Sequence, residues 1–204
     1  YGAATLVDPM FILVPGVLWW LCAFVLVINY PSLTNFWSSK IARSVIGIFM
    51  LVPGYVGLVE LKQSADSEFL ILLFFLIWGA DIGAYFSGRA FGKTKLAPKV
   101  SPGKSWAGVY GGIVFATLLA IAMCLWIGKP DFMSARGLVF VLACVAIVIV
   151  SVLGDLVESM FKRHRGIKDS SALLPGHGGI LDRIDSLLSA APTFALFILI
   201  YGWY

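Results

Sequence analysis

The chain has 204 residues, 60% of them hydrophobic and 13% charged, with a net charge of +4. Soluble domains carry about 25% charged residues, and this chain has too little polar surface to hide several apolar segments of about 20 residues, the length that crosses a bilayer core. A soluble globular domain is therefore excluded in favour of an all-α, polytopic transmembrane bundle, and the positive excess reports loop orientation and lipid contact rather than nucleic-acid binding.

After a short polar stretch, Tyr1 to Pro9, the first predicted span covers Met10 to Asn29, with Pro15-Gly16 as a kink that membrane helices tolerate. Loop signals fill Tyr30 to Lys40. The second span is Ile41 to Val59, broken near Pro53-Gly54, and the third is Phe69 to Ser87. Ser105 to Ile127 form the fourth, whose small residues Ala107, Gly108, Gly111 and Gly112 suit close helix packing. The fifth runs from Ala135 to Leu156 and the sixth from Ile184 to Tyr204, ending in an aromatic anchor of Tyr201, Trp203 and Tyr204. Residues 1–68 are expected to be N-terminal spans, and 69–204 a catalytic transmembrane domain with polar loops 88–104 and 157–183. Cys22, Cys124 and Cys144 lie in apolar segments without CxxC spacing and read as small buried residues. Tyr1 stands where an initiator Met would, so a trimmed chain is expected.

Six spans place the loops 30–43, 88–104 and 157–183 on one side. Twelve of the 15 basic residues fall there, and only Lys62, Lys129 and Arg136 fall on the other. The positive-inside rule puts the first side in the cytoplasm of an inner membrane, with Tyr1 and Tyr204 opposite. A site in these loops could meet a soluble nucleotide.

The densest polar stretch is Gly154 to Ser186, which holds Asp155, Glu158, Lys162, Arg163, His164, Arg165, Lys168, Asp169, His177, Asp182, Arg183 and Asp185 between apolar spans. Charges are costly near a bilayer, so such a cluster marks a functional site. Its acids can hold a divalent cation and its bases phosphates, the pairing that phosphoryl or nucleotidyl transfer needs. Asp155 is expected at the end of the fifth span. Asp182 and Asp185 open the sixth, three residues apart and on one helix face. Asp155 and Asp182 could share a Mg²⁺; Asp182 could instead cap its helix or pair with Arg183 or Lys162. Asp81 lies inside an apolar span and is expected to be buried against a cation, a metal or a polar cavity. His177, between glycines, could donate to a phosphate or orient Asp182, whereas His164, flanked by arginines, reads as basic surface. Ser101, Lys104 and Ser105 stand at a helix start and could hold phosphate oxygens, although Pro98 occupies the first glycine position of a P-loop.

The runs Ser159-Met160-Phe161-Lys162-Arg163, Lys168-Asp169-Ser170 and Pro175-Gly176-His177-Gly178-Gly179-Ile180-Leu181-Asp182-Arg183-Ile184-Asp185 together resemble the signature of phosphatidate cytidylyltransferases (CDP-diacylglycerol synthases) of bacterial type. Lys95 to Trp106 resemble a second block of that family, with Ala107 departing from its usual polar residue. The resemblance runs from about Trp78 to the C-terminus. It implies an integral-membrane enzyme making CDP-diacylglycerol and pyrophosphate from CTP and phosphatidate. It strengthens Asp155 and Asp182 as Mg²⁺ ligands and leaves room for a second cation and a homodimer. The catalytic set expected is Asp155, Lys162, Lys168, Asp169, His177, Asp182 and Asp185, and the substrate-binding set Asp81, Ser101, Lys104, Ser105, Arg163, Gly178, Gly179 and Arg183. The rival readings are a CTP-dependent lipid kinase and an anion or metal transporter.

Overall fold

The computed structural model describes residues 8–63, 67–127, 133–173, 175–176 and 178–202. The chain order is α1 (Met10–Ile28), α2 (Thr34–Trp37), α3 (Lys40–Gln63), α4 (Glu68–Phe91), β1 (Lys95–Ala97), β2 (Ser101–Ser105), α5 (Trp106–Ile127), α6 (Ala135–His164) and α7 (Leu181–Tyr201). Among the described residues, six helices are long and apolar enough to cross a membrane, all but the short α2. Every long helix carries large apolar side chains on the outside, among them Leu18, Ile48, Phe75, Leu118, Ile149 and Ile200. That outer surface suits hydrocarbon, where only backbone bonded within each helix can stand.

The break expected near Pro53-Gly54 is absent, and the first span runs on through Pro15-Gly16. Pro15 and Pro53 both lie inside continuous helices, because neighbouring helices support a proline within a membrane span. The fifth span is longer than hydropathy suggests: α6 continues past Leu156 to His164. Charged residues do not end a helix; they only end its apolar face. Asp155 therefore sits roughly two and a half turns before the helix end, not at it. Asp155, Glu158, Ser159 and Lys162 follow at three- and four-residue steps, so they share one face of α6.

Small residues set the closest approach, between α4 and α5. A Cβ on Gly83 would lie 2.6 Å from the Gly111 carbonyl oxygen, and one on Gly112 2.9 Å from that of Ala80. α6 and α7 are joined similarly. Ser189 Oγ of α7 donates to the Val150 carbonyl at 2.8 Å, and a Cβ on Gly154 would come within 2.5 Å of the Asp185 carbonyl oxygen. Bulk at position 154 would push the start of α7 away from Asp155.

Two apolar clusters fill the bundle. One joins Leu72 and Leu76 of α4, Ala116 of α5, Cys144 and Ile147 of α6, and Phe194 and Ile198 of α7. The other lies nearer the charged end and joins Trp20, Trp37, Met50, Val157, Met160 and Leu188. It also takes in Val100, from the turn of the hairpin β1–β2. The hairpin was not expected in a loop read only as polar. It pairs Lys95 with Ser105 and Ala97 with Ser101, antiparallel. Buried Val100 contributes about 1.5–3 kcal/mol to docking this turn. Of the three cysteines, Cys124 and Cys144 are buried as expected, while Cys22 is exposed on the outer face of α1.

Candidate active site

The ends of α4 and α6 and the starts of α5 and α7 meet at one end of the bundle, with the hairpin laid across them. Arg163 Nε on α6 donates to the Val100 carbonyl at 3.2 Å, fastening the hairpin turn to α6. Ser105 Oγ accepts from the Gly108 amide at 3.2 Å and so caps α5. Between these two anchors Lys104 is aimed at α6, and its Nζ lies 2.6 Å from Asp155 Oδ2. The other Asp155 oxygen accepts from Ser159 Oγ at 3.1 Å.

This ion pair forms one wall of a cleft of about 210 Å³. Asp81, Tyr85, Ser105, Ser151 and Ser186 line the remainder, with Ala80, Gly108 and Gly112 admitting close approach. Asp81 was expected to be buried. It is instead exposed on the cleft wall, within electrostatic reach of Lys104, Asp155 and Asp185. A polar cleft, rather than a single counter-ion, is what makes an acid tolerable there.

The second charged group lies at the α6–α7 junction. Lys162 Nζ is 2.7 Å from Glu158 Oε2 and 2.7 Å from Asp182 Oδ1. Asp182, in the first turn of α7, also closes the connecting loop. Its Oδ2 accepts from the Ser170 amide at 2.9 Å, from Ser170 Oγ at 2.8 Å and from the Gly179 amide at 2.6 Å. Gly178 has φ +81°, and a Cβ there would stand 2.8 Å from Asp182 Oδ2. Both the left-handed backbone and the space require glycine. Of the alternatives for Asp182, pairing with Lys162 is present.

Two clusters thus gather most of the expected residues. The cleft takes Asp81, Lys104, Ser105 and Asp155; the clasp takes Lys162, Gly178, Gly179 and Asp182. Asp185 is half-buried on the next turn of α7, accepting from the Ser186 amide at 2.7 Å, and lies beside Glu158. Lys168, Asp169 and Arg183 are exposed on the loop and helix start. Arg163 serves the hairpin turn, and His177 lies outside the described residues. Ser101 does not line the cleft. It sits opposite Ala97 at the turn end of β2, and three steps along the strand separate it from Lys104 by roughly 10 Å. Glu158, Ser159 and Ser170 carry contacts that the sequence reading gave no role. The step of four from Glu158 to Lys162 is the signal that could have found the first.

Among the described residues, no three His, Cys, Asp or Glu side chains form a group that could hold a metal by themselves. The carboxylates of Asp155, Glu158, Asp182 and Asp185 at this end are nonetheless the oxygen donors a hard cation prefers. Glu158 Oε1 is a buried oxygen with no hydrogen-bond partner.

The sequence matches the model of the cytidylyltransferase family over residues 3–201. It is 50% identical over 193 residues to a phosphatidate cytidylyltransferase of Pseudomonas aeruginosa, covering 94% of this chain and 70% of the relative. Identity to a phosphatidate cytidylyltransferase of Haemophilus influenzae is 49% over 195 residues, covering 91% and 67%. One from Brucella suis is 39% identical over 173 residues, covering 81% and 60%. With a family match across all six spans and both charged clusters, the chain belongs to the cytidylyltransferase family.

Proposed function

We propose that this integral membrane protein is a phosphatidate cytidylyltransferase, making CDP-diacylglycerol and pyrophosphate from CTP and phosphatidate. The observation that carries the reading is the cleft: it holds Lys104, Asp155 and Asp81 at the end of an apolar bundle, in a chain half identical to enzymes of that name. A lipid phosphate and a soluble nucleotide can meet there while acyl chains remain in hydrocarbon. The excess of basic residues in the same loops supports a site on the cytoplasmic side of an inner membrane.

The reaction needs little from a general base. A phosphate monoester has a second pKa of about 6 and is largely a dianion at neutral pH. Its oxygen attacks the α-phosphorus of CTP, a new P–O–P linkage forms, the α–β anhydride bond breaks, and pyrophosphate departs with the electron pair. The protein must offset repulsion between the two anions and orient them. Lys104 supplies charge inside the cleft, and it is attached to a hairpin rather than to a helix interior. Lys162 supplies charge from a fixed position, and Lys168 from the exposed loop. Ser105 and Gly108 set the start of α5 and hence the cleft floor.

Asp155 and Asp182 would hold a Mg²⁺, which would supply positive charge against the phosphates. Such an ion needs only one or two protein carboxylates when phosphates complete its shell; Asp155 in the open cleft fits that need, while Asp182 would have to give up a bond to Lys162, Ser170 or Gly179 to join it. A CTP-dependent lipid kinase or a transporter finds no support among the relatives.

The test is product analysis with the purified protein in lipid nanodiscs, CTP and phosphatidate. Pyrophosphate and CDP-diacylglycerol in equal amounts are expected, abolished by chelation and restored by Mg²⁺. Release of CDP instead would establish a kinase, and intact CTP would overturn both enzymatic readings.

A further inference from the structure

We infer that Glu158 is a positioning residue for this reaction, holding the Lys162 ammonium in place across the α6–α7 junction. The inference rests on the reading that Lys162 neutralises substrate phosphate. Glu158 is 2% exposed. Its Oε2 bonds Lys162 at 2.7 Å, and its Oε1 has no hydrogen-bond partner. A carboxylate buried with one oxygen unsatisfied is costly, and an apolar side chain of similar volume would serve stability as well or better. Its presence therefore needs a reason other than stability.

The geometry supplies one. Lys162 Nζ sits between Glu158 on its own helix and Asp182 on the next, 2.7 Å from each. Asp182 is already engaged by Ser170 and Gly179. Without Glu158, nothing on α6 would oppose the pull of Asp182 on the lysine. Held by two carboxylates, the ammonium keeps one of its three N–H donors for a phosphate oxygen. Glu158 thus acts through Lys162 and need not touch substrate.

Glu158→Gln keeps the shape and leaves Lys162 paired with Asp182, so no buried charge is stranded. We expect kcat to fall about 10- to 100-fold, the worth of a lost charge-assisted hydrogen bond, with KM for phosphatidate and the melting temperature unchanged. Lys162→Gln keeps a hydrogen bond to Glu158 but removes the cation between two carboxylates, so its kcat is taken per folded protein, with the folded fraction read by thermal unfolding. Because the two side chains act as a unit, Glu158→Gln/Lys162→Gln should be no slower than Lys162→Gln. Normal kcat in Glu158→Gln, or losses that multiply in the double variant, would overturn the proposal. So would a loss explained wholly by a smaller folded fraction. An inactive wild-type protein would instead sink the functional reading itself, so the two failures are distinguishable.

Discussion

Lys104 reaches Asp155 from a hairpin, and Lys162 reaches Asp182 from one helix to the next; the N–O distances are nearly the same, 2.6 and 2.7 Å, but the surroundings are not. In the cleft pair the side chains are 25% and 32% exposed, and Asp155 has one further donor, Ser159. In the clasp, the side chains of Lys162, Asp182 and Glu158 are 17%, 7% and 3% exposed, and Asp182 carries three further hydrogen bonds to its Oδ2. A partly exposed pair in an open cleft is worth little and can exchange partners. A buried, fully bonded pair is costly to break and keeps its geometry. The protein thus places an exchangeable cation, Lys104, in the open cleft and a fixed one, Lys162, at the α6–α7 junction.

The largest effect should come from the acids. Asp155→Asn and Asp182→Asn should each lower CDP-diacylglycerol formation by at least about 10²-fold, the scale of removing a preorganised charge from a reaction centre. If the cleft and the clasp serve one reaction, the double variant should be little slower than either single one. Turnover near normal in a folded Asp182→Asn protein would separate the clasp from catalysis.

Stability should divide the two lysines next. Lys162→Met strands Glu158 in the interior and should cost about 3–5 kcal/mol. Lys104→Ala leaves Asp155 open to water and should cost under about 1 kcal/mol, while raising KM for CTP or lowering kcat. Thermal unfolding in detergent reads both, and equal losses would erase the distinction between exchangeable and fixed pairs.

The smallest effect sharpens the role of the loop. Gly178→Ala should destabilise by about 1–3 kcal/mol through its positive φ alone, and it also crowds the oxygen of Asp182 that holds the loop. Gly176→Ala has a similar φ but open space around it, so its cost should be smaller and kcat should be spared. Identical kinetics for the two variants would show that the clasp does not depend on the fit at Gly178.

Much of the membrane bundle was legible in the sequence, because a span is set by length and hydropathy, both one-dimensional properties. Asp182 and Asp185 at the start of α7 were legible for the same reason. The extension of α6 to His164 was not, since hydropathy reports lipid contact and not backbone hydrogen bonding. Missing that extension hid the helical spacing that makes Glu158 a neighbour of Lys162. The hairpin was also hidden: its strands are short, with Pro98 in the turn and Pro102 in the second strand, and they stand because Val100 is buried and Arg163 bonds its carbonyl.

By itself the sequence determined the six-span class, the two polar islands and the signature that marks the family, because each depends on residue identity and order along the chain. Which acid meets which base was decided only by the tertiary structure. Asp155 lies 51 positions from Lys104, and Asp182 lies 20 from Lys162. Such pairs exist only once small residues let α4 approach α5, and Gly154 lets α6 approach α7, closely enough to bring the charged ends together.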